Sequence, residues 1–164
     1  MNTIRHLLRL ALVALLTGSA LADPVELKVE RKVIDREDKI NRPKLKAEEL
    51  TTLLSIGITN KSGKDTGAVE LEWSIVVARP GAKNALLSTG SKTVAEVSNA
   101  TTVTVESDAV AVVKTRAGKQ DMEYKVILKQ AGKEIARAVS NANFDQLAAA
   151  AEPEKKAKKK KASP

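Results

Sequence analysis

Val69-Glu70-Leu71-Glu72-Trp73-Ser74-Ile75-Val76-Val77 is the most regular stretch of this chain. Successive side chains of an extended backbone point to opposite faces, so Val69, Leu71, Trp73, Ile75 and Val77 share one face and Glu70, Glu72 and Ser74 share the other. Five inward positions with an indole at the centre predict a core strand that is dry on one side and wet on the other, as in an antiparallel sheet packed on a second layer. The stretch is bounded at both ends. Before it, Asn60-Lys61-Ser62-Gly63-Lys64-Asp65-Thr66-Gly67 is dense in turn formers: Gly can take positive φ, and Asn and Asp can bond their own backbone. After it, Arg79-Pro80-Gly81-Ala82-Lys83-Asn84 ends the strand, because Pro brings no ladder N–H.

The same period of two recurs on either side. Val25 to Val33 alternates apolar and polar residues and predicts a first strand. Asp35-Arg36-Glu37-Asp38-Lys39 is too charged for burial and predicts a loop running to Pro43. From Leu45 to Leu54 two readings compete. Leu45, Glu48, Glu49 and Leu53 could form a short helix, whereas Thr51, Thr52, Ile56, Ile58 and Thr59 favour extended structure; a strand over Thr51–Asn60 is the expectation. Beyond the Trp73 strand, weaker strands are predicted at Ala85–Thr89, Lys92–Val97, Thr101–Glu106 with Val103 and Val105 inward, and Ala109–Thr115. Met122, Tyr124, Val126 and Leu128 alternate with Glu123, Lys125 and Lys129. Gln130-Ala131-Gly132-Lys133 has the length of a hairpin turn, and Glu134–Ser140 is the return strand. Phe144 and Leu147, three apart, suit one docked helical turn. Seven or eight closely spaced strands with few helical signals predict an all-β sandwich or barrel.

The ends have a different character. Arg5 and Arg9 precede an apolar run from Leu10 to Leu16, Gly18-Ser19 follow, and Ala20-Leu21-Ala22 offers a small-x-small cleavage site. This is the pattern of a secretory signal peptide over residues 1–22, and the run is far short of the ~20 residues that span a bilayer. The expectation is an exported protein, periplasmic or secreted, with no transmembrane segment after cleavage. Residues 23–147 are expected to form the folded domain and residues 148–164 an Ala/Lys-rich disordered tail. The chain has no Cys, which suits a bacterial envelope better than a eukaryotic secretory route. Asn60-Lys61-Ser62 and Asn99-Ala100-Thr101 match glycosylation acceptors, which matter only in the latter. Of 28 Lys and Arg, Arg5 and Arg9 belong to the leader and six lysines to residues 152–164; of 20 Asp and Glu, two lie in that tail. Residues 23–151 are left nearly balanced, so a nucleic-acid partner is not expected.

Much familiar chemistry is absent. The single His is His6, in the leader, so the expected mature chain has neither His nor Cys. That excludes His-dependent triads, thiol nucleophiles, and His/Cys zinc, copper and haem sites, and no phosphate-binding glycine loop occurs. Glu70 and Glu72 share a face and could act as a carboxylate acid/base pair in a hydrolase, but as a pair they read more simply as the wet side of a strand. Asp35, Glu37 and Asp38, or Asp65, could approach a calcium ion, yet lack the regular ligand spacing of a calcium loop. The expectation is no catalytic residue, no metal and no cofactor. Trp73 and Tyr124 occupy inward registers and are assigned to the core with Ile58 and Val126. Lys155, Lys156, Lys158, Lys159, Lys160 and Lys161 could hold an anionic envelope surface.

With Trp73 on the central strand, Tyr124 two residues before Val126 and Asp121 opening that strand, the chain resembles the immunoglobulin-like sandwich, with Ile58 and Val126 where an antibody domain carries its cysteines. Ile56-Gly57-Ile58-Thr59-Asn60-Lys61-Ser62-Gly63 followed by Val69-Glu70-Leu71-Glu72-Trp73 is similar to bacterial adhesion-related Ig-like domains of the CARDB type, and the whole chain resembles small exported Ig-like proteins of bacterial envelopes. The resemblance implies a non-enzymatic binding or structural module, or a pilus or envelope assembly accessory. Its partners would be proteins or anionic surfaces, or further copies met through sheet edges, the edges being the Lys92–Val97 strand and the first strand. It transfers no functional residue.

Overall fold

The computed structural model describes residues 24–40, 46–78, 85–115, 118, 119 and 121–153; the leader and lysine-tail assignments for residues 1–22 and 154–164 lie outside them. The strands are β1 (Val25–Ile40), β2 (Lys46–Asn60), β3 (Val69–Val77), β4 (Leu86–Val94), β5 (Thr102–Glu106), β6 (Val110–Thr115), β7 (Gly118–Lys119), β8 (Met122–Gln130), β9 (Lys133–Val139) and β10 (Glu152–Pro153), with one helix, α1 (Phe144–Ala149), between the last two strands. They form two five-stranded sheets. In the first, β1, β2, β6 and β7 are ordered side by side, and β5 pairs with β2 beside β6; in the second the order is β10-β4-β3-β8-β9. All pairings are antiparallel except that of β10 with β4. One hydrophobic core draws on both sheets, with Leu54, Ile56, Ile58, Val105 and Val112 from the first and Val69, Leu71, Trp73, Ile75, Val126 and Leu128 from the second. The protein is therefore an all-β sandwich.

The Trp73 strand is as its alternation requires. Val69, Leu71, Trp73, Ile75 and Val77 are all buried, Trp73 with 5% of its surface exposed. Ile58 and Val126 are fully buried, and Val126 stands directly opposite Trp73. Tyr124 is a partial correction: it is half-buried at the margin of the core, with the Arg31 guanidinium 5.7 Å from its ring centroid.

Four sequence expectations need correction. Asp35 to Lys39 is not a loop, since β1 continues to Ile40 in register with β2. A backbone ladder satisfies the strand, while Asp35, Arg36 and Glu37 keep their side chains in water. One residue, Ile34, is extruded at a bulge between Val33 and Asp35 and is half exposed. Second, β2 begins at Lys46, and the helical spacing in its first part yields to pairing with β1 and β6. Third, the strands expected at Ala85–Thr89 and Lys92–Val97 are not separate: one strand, β4, runs unbroken from Leu86 through Gly90-Ser91 and ends at Val94, short of Val97. Glycine there marks a close approach, because the Trp73 ring lies against it and a Cβ on Gly90 would sit 2.5 Å from Cζ2. Fourth, ordered structure does not stop at 147. Helix α1 runs to Ala149, and Glu152–Pro153 pair with Leu86 and Leu87. Phe144 is buried as expected, but Leu147 is exposed.

Two devices close the sandwich. Ser107 separates β5 from β6 while both stay paired to β2; its N–H donates to the Leu54 carbonyl and its Oγ accepts from the Leu54 N–H, each at 2.9 Å, so a hydroxyl replaces a strand carbonyl at the kink. Across the other sheet, the chain passes from the β9 rim over the outer face to β4. Lys125, on that face of β8, holds Asp145 of α1 at 2.8 Å, and Val76, on the same face of β3, is buried.

Candidate functional site

The residues singled out in the sequence do not converge on one place. Glu70 and Glu72 do share the outer face of the second sheet, but Glu70 stands exposed and Glu72 accepts a 2.6 Å hydrogen bond from Lys129 Nζ. That bond, with the charge beside it, raises the Lys129 ammonium above its ordinary pKa. The pair is thus one carboxylate in water and one bound to a cation, on an open face. Asp35 Oδ1 accepts from the Arg36 N–H at 2.7 Å, and among the described residues no group of three or more carboxylates, His or Cys is placed to hold a metal ion. Asp65 instead fastens a loop, its Oδ1 accepting from the Asn99 N–H at 2.7 Å.

The turn after β2 has a buried centre. Asn60 is fully buried at the strand end. Its Nδ2 donates to the carbonyls of Lys64 (2.7 Å) and Val97 (2.8 Å), and its Oδ1 accepts from the Ser62 N–H (3.0 Å) and Oγ (2.7 Å). Both amide hydrogens are committed, so the Asn60-Lys61-Ser62 triplet is a structural corner and cannot carry a glycan in the folded chain. Asn99 is exposed, and its Oδ1 accepts from the Gly63 N–H at 3.0 Å.

A concavity of about 290 Å³ lies on the outer face of the first sheet, lined by Lys28, Glu30, Ser55, Gly57, Thr59, Thr102 and Thr104. Gly57 forms its floor: no side chain rises there, although a Cβ would fit at 3.6 Å from Thr102 Cγ2. Thr59 and Thr102 share a 2.8 Å hydroxyl contact. Lys28 pairs with Glu30 at 2.8 Å, Lys32 with Glu106 at 3.0 Å, and Glu26 with Lys61. The trough can exchange hydrogen bonds with a ligand, but its charges already neutralise one another.

The sheet edges differ more sharply. In β1, ten of sixteen residues are charged and a bulge interrupts the ladder. In β9, Lys133, Glu134 and Arg137 are charged, and its ladder to β8 shifts register between Leu128 and Lys129. Strand β5 is five residues long and stops at the Ser107 kink. Charges, bulges and shortness are the usual guards of an exposed edge. Strand β4 has the least of them along Ser88–Val94: Lys92 is its one charge, its ladder to β3 is regular, and among the described residues β10 covers only Leu86 and Leu87. The sequence expectation placed an edge near Lys92–Val97 and another at the first strand. Both are edges, and of β1, β4, β5 and β9 it is β4 that is guarded least. The missing signal was the union of two short runs across Gly90, which required knowing where the indole lies.

No family model matches the chain, and no curated protein matches it in sequence. Among solved structures, the fold is similar to a crystal structure from Akkermansia muciniphila, with 13% identity, 79% of this chain and 81% of that chain covered, and a TM-score of 0.38. No helix among the described residues is long and apolar enough to cross a membrane.

Proposed function

We propose that this chain is an exported, non-enzymatic binding or structural module of a bacterial envelope, built on an immunoglobulin-like sandwich and engaging protein partners by strand addition at β4. The observation that carries the reading is the regular Ser88–Val94 ladder, with Lys92 as its one charge, beside the heavily charged and register-shifted edges β1 and β9. An extended chain laid along it gains main-chain hydrogen bonds, and the outward Thr89, Ser91 and Thr93 set the side-chain fit. The immunoglobulin-like assignment is supported by strand order: β1-β2-β5 corresponds to A-B-E and β4-β3-β8-β9 to C′-C-F-G, with Trp73 on the C strand opposite Val126 on F. Export rests on the leader pattern of residues 1–22. Retention of partners from an envelope extract by immobilised protein, lost when Ser91→Pro removes an N–H from β4, is the expected result; an extract that leaves nothing bound overturns the reading. Amino-terminal sequencing of exported protein should begin near Asp23.

A second role, tethering to anionic surfaces, is favoured by composition: six lysines lie between Lys155 and Lys161, against a nearly balanced charge over residues 23–151. Polybasic segments bind anionic surfaces by about 1 kcal/mol per residue within a Debye length. Deleting residues 154–164 should abolish salt-sensitive retention on anionic vesicles, and unchanged retention removes this role.

A further inference from the structure

We infer that the partner which fits the β4 edge is a second copy of this chain, paired antiparallel about a two-fold axis at Ser91. The inference rests on the strand-addition reading above and names its occupant. The first argument is extent. Among the described residues, the ladder open to a partner runs from Ser88 to Val94, because Leu86 and Leu87 are already paired to β10. A two-fold pairing that uses the whole free ladder and leaves β10 in place has its centre at Ser91. It sets Ser91 opposite Ser91, Thr89 opposite the partner's Thr93, and Gly90 opposite the partner's Lys92.

The second argument is what those neighbours are. Directly opposed residues lie close enough that like charges repel and small hydroxyl pairs associate. The one charge on this edge, Lys92, falls opposite a glycine rather than another lysine. That glycine is the position covered by the Trp73 ring, so the ammonium of one copy arrives beside the indole of the other, where a cation is attracted to the ring face. On the outer face the contact is Thr89, Ser91 and Thr93 against the same residues, all exposed in the single chain. The charged edges β1 and β9 offer no comparable self-match, since their ladders are broken by register shifts.

The test uses the absence of cysteine from the chain. Opposed residues in an antiparallel pair have Cα atoms about 4.5–5.5 Å apart, within the reach of a disulfide. Ser91→Cys should therefore oxidise readily to a covalent dimer. Thr89→Cys and Thr93→Cys should each cross-link poorly alone and well when mixed. Ser91→Lys places two ammonium groups face to face at an exposed position. It should weaken the sedimentation-measured dimer roughly tenfold or more, with an unchanged circular-dichroism melt. A protein monomeric to about 1 mM overturns the inference. So does a dimer indifferent to Ser91→Lys, or cross-linking no better at Ser91 than at Thr89 alone. The strand-addition reading fails separately: a monomer that still loses its extract partner on Ser91→Pro refutes the dimer and keeps the binding module.

Discussion

At the scale of single residues, the clearest tension is between Trp73 and Gly90. The indole occupies the space a side chain would need, so Gly90→Ala must push the ring or bend β4. Overpacking of this kind costs about 1–3 kcal/mol. Urea denaturation should show that loss, and it should shrink when Trp73→Leu empties the site; equal losses in both backgrounds would mean the contact is not the cause. Among the described residues, two buried polar atoms lack a hydrogen-bond partner, Thr52 Oγ1 and Trp73 Nε1. Thr52→Val keeps the shape and removes the stranded hydroxyl, and stability should rise by about 1 kcal/mol, read as a higher urea midpoint at constant slope. Asn60 is the opposite case, a buried amide with every group satisfied, which is why a short polar loop can follow a core strand so abruptly.

At the scale of elements, the β8–β9 hairpin turns through Ala131 and Gly132, both at positive φ (49° and 77°). Two-residue turns of this hand match the twist of the strands and prefer Asn-Gly, because a Cβ is disfavoured there. Ala131→Asn should stabilise the protein by about 0.5–1 kcal/mol, visible as a higher melting temperature; no gain would mean the turn is not limiting. Such turns were legible in the sequence, as were the two faces of β3 and the inward register of β8, because period two and Gly-rich breaks are local signals. What was not legible depended on distant partners. Asp35 to Lys39 reads as loop until β2 lies alongside, and Gly90-Ser91 reads as a break until Trp73 covers it. Ser107 gave no signal at all, since a serine standing in for a strand carbonyl has no distinguishing neighbours in sequence. The edges were partly legible, in the charge of β1; the length of the open β4 edge was not, because that follows from β4 running unbroken through Gly90.

At the scale of the whole molecule, the surface is held in ion pairs that are individually weak. Lys61 lowers the Glu26 pKa, Lys28 that of Glu30, Arg137 that of Glu134 and Lys125 that of Asp145; Lys28 and Lys129 are raised by their glutamates. A depressed carboxylate contributes stability above its unfolded pKa, near 4, and loses it as pH falls through the folded value. A raised lysine contributes fully below about 10.4 and loses it as pH rises further. Both contributions are complete between these limits, and the described residues contain no His. The melting temperature should therefore stay level from about pH 5.5 to 9.5 and decline shallowly on both sides, a decline that salt flattens; a step near pH 6.5 would contradict this account. The segment that follows β9 and ends beside Leu86 has its own bearing on biogenesis. β3 lies between β4 and β8, and the last rung beside β4 is supplied by Glu152 and Pro153. Because Glu152 and Pro153 follow Leu86 and Leu87 by 66 positions, that rim of the second sheet stays incomplete on the ribosome until every residue from 24 to 153 has been joined.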